Sequence, residues 1–139
     1  MPSAVIISEQ SKGKLELSIA ADHGPYDARW SVKLETPSVV ATHEFWGSEP
    51  QHLVAFFDGL AASWRGWDGQ REWTEVERDL SLVATHDGLG HVVLGVTLGT
   101  TFVSPPADSW LVRAPLKFDA GALDRLATQA HLLLADDRA

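Results

Sequence analysis

The feature that most constrains this chain is a change of hydrophobic period that happens twice along it. Leu15, Leu17 and Ile19 alternate with Lys14, Glu16 and Ser18, the two-residue period of a half-buried strand. Val5 to Ile7 is a shorter apolar run before it. Trp30, Val32 and Leu34 repeat the alternation, and a further run covers Val39 to Phe45. The period then turns helical, with Leu53, Phe56, Phe57, Leu60, Ala61 and Trp64 recurring three and four residues apart. Leu80, Leu82 and Ala84 restore the two-residue period, continued by Val92 to Leu98 and by Trp110 to Leu116. A second helical stripe, from Leu123 through Leu126, Ala127, Ala130 and Leu133 to Leu134, closes the pattern. Strands in blocks with segregated helices predict an α+β fold. The expected form is an antiparallel sheet of about six to seven strands with two helices, in the order strands, helix, strands, helix.

Local signals punctuate this pattern. Asp22 to Asp27 and Pro37-Ser38 are turn-forming, and Thr100 to Asp108, with Pro105-Pro106, reads as a loop. Pro115 suggests an edge strand or a bulge. Ser48 is placed to cap the first helix, with Gln51 reaching back to it and Pro50 in the first turn. Gly59 weakens that helix by about 1 kcal/mol relative to alanine, and Gly66 and Gly69 end it. Asp119 is placed to cap the second helix, with Phe118 stapling onto Leu123. Residues 70–78 fit a short strand or a helical turn through Trp73 and Val76. Val39 to Glu44 echoes Leu82 to Asp87 in sequence, although matches this short arise by chance.

The 139 residues suit a single domain spanning 1–139, with a frayed polar tail at 136–139. Without cysteine there is no disulfide, zinc-thiolate site or thiol nucleophile. Nineteen acidic against eleven basic residues give a charge of −8, which disfavours nucleic-acid phosphates and suits a basic partner or plain solubility. No signal peptide is expected from Met1 to Ser8, and no run approaches the roughly 18 apolar residues of a membrane span. The expected location is cytoplasmic.

Candidate chemistry is sparse. His86 and His91 flank the Asp87-Gly88-Leu89-Gly90 hairpin and could offer nitrogens to a metal, but no helix-spaced histidine pair accompanies them. Asp87 is better read as fixing the turn through its own backbone, with Gly88 and Gly90 supplying the positive φ. Asp58, Asp68, Glu72, Glu75 and Glu77 read as a solvated acidic face rather than an acid–base pair. No nucleophile elbow or phosphate-binding loop is present, so neither a catalytic residue nor a cofactor is assigned. The tryptophans say more. Trp64-Arg65-Gly66-Trp67-Asp68 and Trp73 concentrate three of the chain's six at the first helix exit. Trp64 extends the apolar stripe and is expected in the core. Trp67, Arg65, Asp68 and Trp73 are the candidate partner-binding residues, since tryptophan and arginine dominate binding hot spots. The competing reading is that Trp67 and Trp73 merely cover a sheet edge.

Taken in order, Trp64-Arg65-Gly66-Trp67, the Leu82 to Val93 hairpin and the Leu123 to Leu134 helix resemble an uncharacterised actinobacterial family with a W-x-G-W segment followed by T-H-D-G-L-G-H. More distantly, Asp87, Gly88, Leu89, Gly90, His91 and the closing helix are similar to WapI-type immunity proteins. That resemblance implies a cytosolic protein that binds and neutralises a toxin, and it identifies no contact residues. The leading expectation is therefore a protein-binding module, an immunity protein against a basic toxin. The alternative is a small-molecule-binding protein or an unrecognised enzyme with a pocket between sheet and helices, lined by Trp30, Trp110 and Phe102. A homodimer through strand edges or the Trp67 region is a third option.

Overall fold

A computed structural model describes residues 2–21, 28–100 and 106–134. Each stretch of two-residue period is a strand: β1 (Ser3–Ser8), β2 (Gly13–Ala21), β3 (Ala28–Glu35) and β4 (Val40–Gly47), then β5 (Gln70–Thr74), β6 (Leu80–His86), β7 (His91–Thr100) and β8 (Trp110–Asp119). The helices are α1 (Gln51–Ala62) and α2 (Leu123–His131). Residues 70–78, left open by the sequence, contribute β5. Asp22 to Asp27, residues 101–105 of the expected loop and the 136–139 tail lie outside the described residues; Pro106–Asp108 is a short 3-10 turn.

The expectation of a single sheet of six to seven strands is wrong. The eight strands form two separate four-stranded antiparallel sheets, ordered β1-β2-β3-β4 and β5-β6-β7-β8. Every strand pairs only with its neighbours in sequence. The physical reason lies between β4 and β5. There α1 and its flanking turns occupy Ser48 to Gly69 and carry the chain away from the edge of β4. Alternation reports which face of a strand is buried, and that signal is identical for one sheet or two.

The fold thus repeats a unit of four strands and a helix. The echo between Val39 to Glu44 and Leu82 to Asp87 does not mark that repeat. The first segment lies in the fourth strand of its unit and the second in the second strand of its own. A single buried cluster joins the two units, taking residues from both sheets and both helices. Trp30, fully buried, stacks between Phe45 and Trp73 with ring centroids 5.8 Å away in each case. α1 buries Leu53, Val54, Phe57 and Leu60, and α2 buries Leu123, Leu126, Ala127 and Ala130. Leu134, assigned to that second stripe, is instead exposed.

Both expected helix caps are spent elsewhere. Pro50 holds the N-cap position of α1 without a side-chain bond, while Ser48 donates from N and Oγ to the Glu75 carboxylate at 3.1 and 3.3 Å. The Asp119 side chain makes no cap hydrogen bond and accepts from Gln10 Nε2 at 3.0 Å. A 3-10 turn over Ala120–Ala122 leads into α2 instead.

The sheets meet along two junctions sealed by side chains rather than strand pairing. At the first, Ser8 Oγ donates to the Lys117 carbonyl at 2.5 Å, and Lys117 N donates to Ser11 Oγ at 2.9 Å. Nearby, Val5 N on the edge strand β1 donates to Gln129 Oε1 of α2 at 3.1 Å. At the second, Glu75 takes the two Ser48 bonds and His43 Nε2 donates to Asp79 Oδ1 at 2.7 Å. At the first junction these side chains occupy edge groups of β1 and β8 that would otherwise invite another strand. The edge position of β8 also accommodates Pro115, whose missing N–H is tolerated there.

Candidate partner-binding face

Two segments, the α1 exit and the β6–β7 hairpin, meet through the imidazole of His86, 22 residues from Trp64 in the chain. Its Nε2 lies 2.9 Å from the Trp64 carbonyl, and Gly88 N donates to its Nδ1 at 2.9 Å. A carbonyl can only accept, so both bonds require the neutral ring with its proton on Nε2. The Trp67 ring packs edge-on against the same imidazole at 5.2 Å. His86 therefore spans the two segments and fixes their separation.

Each segment is internally braced. Arg71 of β5 donates from Nη1 to the Gly59 carbonyl at 3.1 Å and to Ser63 Oγ at 2.8 Å, satisfying groups at the helix end. Its guanidinium also lies 5.0 Å from the Trp67 ring centroid. In the hairpin, Asp87 Oδ1 accepts from Leu89 N at 2.7 Å and His91 N at 3.0 Å, and Oδ2 pairs with His91 Nδ1 at 2.6 Å. Gly88 and Gly90 have φ of 77° and 92°, where a side chain would be strained. The Leu89 N–H bond, aided by those from His91, lowers the Asp87 carboxyl from its ordinary 3.8 to about 2.

The candidate binding residues separate into two groups. Arg65 and Asp68 are exposed at the helix exit, and the Arg65 guanidinium sits 5.1 Å over the Trp64 ring. Trp67 and Trp73 are only partly exposed and pack against the core. Trp67 donates Nε1–H to the Ala84 carbonyl at 3.3 Å, and Trp73 stacks on Trp30. Trp64, expected in the core, is 51% exposed because the helix ends at Ala62 and the stripe stops before reaching it. Leu89 at the hairpin tip is 80% exposed. The surface formed here therefore presents Trp64 and Leu89, with Arg65, Asp68 and Asp87 around them.

The other candidates disperse. His91 pairs with Asp87, and His131 pairs with Asp58 across α2 and α1 at 2.9 Å, so His86 and His91 share no ligand position. Among the described residues no three His, Asp or Glu side chains gather as a metal site. Trp30 is fully packed and donates Nε1–H to the Ser48 carbonyl at 2.8 Å, which leaves it no cavity to line. Phe102 lies outside the described residues. One groove, of about 550 Å³, runs over the β1–β2 turn past Ile7, Lys12 and Glu35, and another, of about 290 Å³, lies between β1 and α2 against Val5, Ile7, Arg125 and Gln129. Among the described residues no helix is long and apolar enough to cross a membrane.

Sequence reasoning missed Glu75 and the pair His43–Asp79. Glu75, one of the expected acidic-face residues, is 2% exposed, and both members of the pair are largely buried. A signal did exist for His43, which falls on an inward-facing position of β4 between Ala41 and Phe45.

A sequence model of one protein family matches residues 6–137, nearly the whole chain. The chain belongs to DUF6228, a family of unknown function. The match spans both four-strand units together with both helices, so the repeat lies within the family's sequence. No curated protein and no solved structure matches the chain significantly.

Proposed function

We propose that this protein is a binding module that docks a basic protein partner on the face joined by His86, and that it acts as an immunity protein neutralising a toxin. The observation that carries the reading is the 51% exposure of Trp64 beside a hairpin tip whose Leu89 is 80% exposed. A large aromatic held on a braced backbone loses little entropy when it is covered, which is the usual composition of a hot spot. The flanking carboxylates Asp68 and Asp87 and the net charge of −8 favour a basic partner. The similarity of the Asp87 to His91 segment and closing helix to WapI-type immunity proteins supplies the toxin as the partner class.

The test is co-expression with the product of the adjacent gene, scored by growth rescue and by co-purification. Rescue together with co-purification is expected, and Trp64→Ala should weaken the complex at least tenfold. A neighbouring product that neither binds nor is neutralised would overturn the immunity reading. Binding indifferent to Trp64→Ala and Leu89→Ala would overturn the location.

A further inference from the structure

The outer face of β5–β8 contrasts with that of β1–β4. The first sheet's outer face interleaves charges that neutralise one another: Lys14 pairs with Glu16 and Glu35, and Arg29 pairs with Glu44. On the second sheet the two central strands carry no charge in the three middle rows of this face. Its central row across the strands reads Glu72, Val83, Gly95, Pro115. The rows on either side end on β8 in Lys117 and Arg113 and otherwise hold only Gln, Thr, Val and Ser.

Gly95 is the informative residue. Glycine in the middle of a strand costs stability, and it often marks a place where something approaches closely. Nothing within this chain requires it. A Cβ built there would meet the Val83 carbonyl at 3.6 Å, an ordinary contact.

We infer that this face associates with a second copy of the chain about a two-fold axis parallel to the strands. That axis lays β6 of one copy over β7 of the other, so each Val83 side chain enters the space left by the partner copy's Gly95. It also lays β5 over β8. Glu72 of one copy then sits above Pro115 of the other, between Arg113 and Lys117, which lie two residues to either side. An axis perpendicular to the strands would instead set Glu72 against Glu72. The charge layout selects the first arrangement, and isologous contacts of this kind close as dimers. Small side chains let two sheets pack at about 10 Å. Four strands about 4.8 Å apart and seven residues long give a face of roughly 20 by 23 Å, smaller than stable dimers bury. The association is therefore weak.

Sedimentation velocity over concentrations up to about 1 mM is the test. The full chain should shift from monomer to dimer across that range. Gly95→Val fills the space and should abolish the dimer while leaving the monomer as stable or more so, read by thermal melting. Glu72→Arg should weaken the dimer at least tenfold, and combining it with Arg113→Glu and Lys117→Glu should restore it. A chain that stays monomeric to the top of the range overturns the proposal. So does a dimer that survives Gly95→Val, or a triple variant that gains nothing over Glu72→Arg.

Discussion

At the junction between β8 and the β1–β2 turn, two serine hydroxyls hold both backbone polar groups of a single residue, the carbonyl and the N–H of Lys117. At the β4 junction the groups are ionisable: the buried Glu75 carboxylate holds Ser48, and His43 pairs with Asp79. Both junctions solve one problem, that of joining two sheets without pairing their edge strands. They differ in what each leaves behind when broken. A lost Ser8 hydroxyl, itself as buried as Glu75, leaves only neutral groups, the Lys117 carbonyl and the Ser11 N–H, without that partner. A displaced Glu75 leaves the Ser48 N–H, the Ser48 hydroxyl and a carboxylate to be re-solvated inside the joint, and an unmet buried group costs more than a made bond contributes. The junction with the shorter chain connection thus carries the greater risk.

The largest effect is expected from Gly47→Val. A Cβ at Gly47 would lie 2.6 Å from Glu75 Oε1 and 3.0 Å from Trp30 Nε1, so the carboxylate must leave its site. We expect a loss of about 3 kcal/mol, the upper range for overpacking, measured by urea denaturation.

Glu75→Ala should cost about 2 kcal/mol by the same measurement, because both Ser48 donors lose their acceptor. Glu75→Gln should recover much of it if geometry dominates, since the amide oxygen still accepts; no recovery would assign the effect to charge. At the other junction, Ser8→Ala should cost only about 1 kcal/mol. A Ser8→Ala loss equal to that of Glu75→Ala would erase the distinction between the junctions.

Gly59→Ala lies outside both junctions and calibrates them. The site is open, with nothing within 4 Å of a Cβ, and the change should stabilise α1 by at most about 1 kcal/mol.

The smallest effect concerns pH. Asp87 titrates at about 2 in the fold against an ordinary 3.8. Its contribution is complete above that ordinary value and disappears as pH falls through about 2. A carboxyl NMR titration with its midpoint near 2 is expected, and Asp87→Asn should flatten the acid-side loss of stability.

Much of the scaffold was legible, for a physical reason. The inward positions of β2, β3, β6 and β7 follow directly from alternation, because a strand with one wet face must alternate. The Asp87 turn was legible because its bonds are local, closing over two to four residues. Elements were misread where a residue had two uses. Ser48 and Asp119 are good cap residues, yet tertiary neighbours took them. Trp64 was misread as core because the helix ends at Ala62, before the stripe reaches it. The candidate face was half legible: both of its segments were picked out by their residues, but nothing along the chain links Trp64 to His86.

The sequence by itself determined the strand and helix segments other than β5, most of the residues that face inward, and the turn at Asp87. All of these depend on spacing within a few residues. Only the tertiary structure decided that the strands divide into two sheets, that Glu75 is buried, and that His86 joins the two tryptophan-bearing and hairpin segments. Each of those depends on which surfaces meet. The Glu75–Ser48 bonds span 27 positions and the His86–Trp64 bond spans 22. A side chain's periodic position says whether it points inward, and the packing of separate elements decides what it finds there.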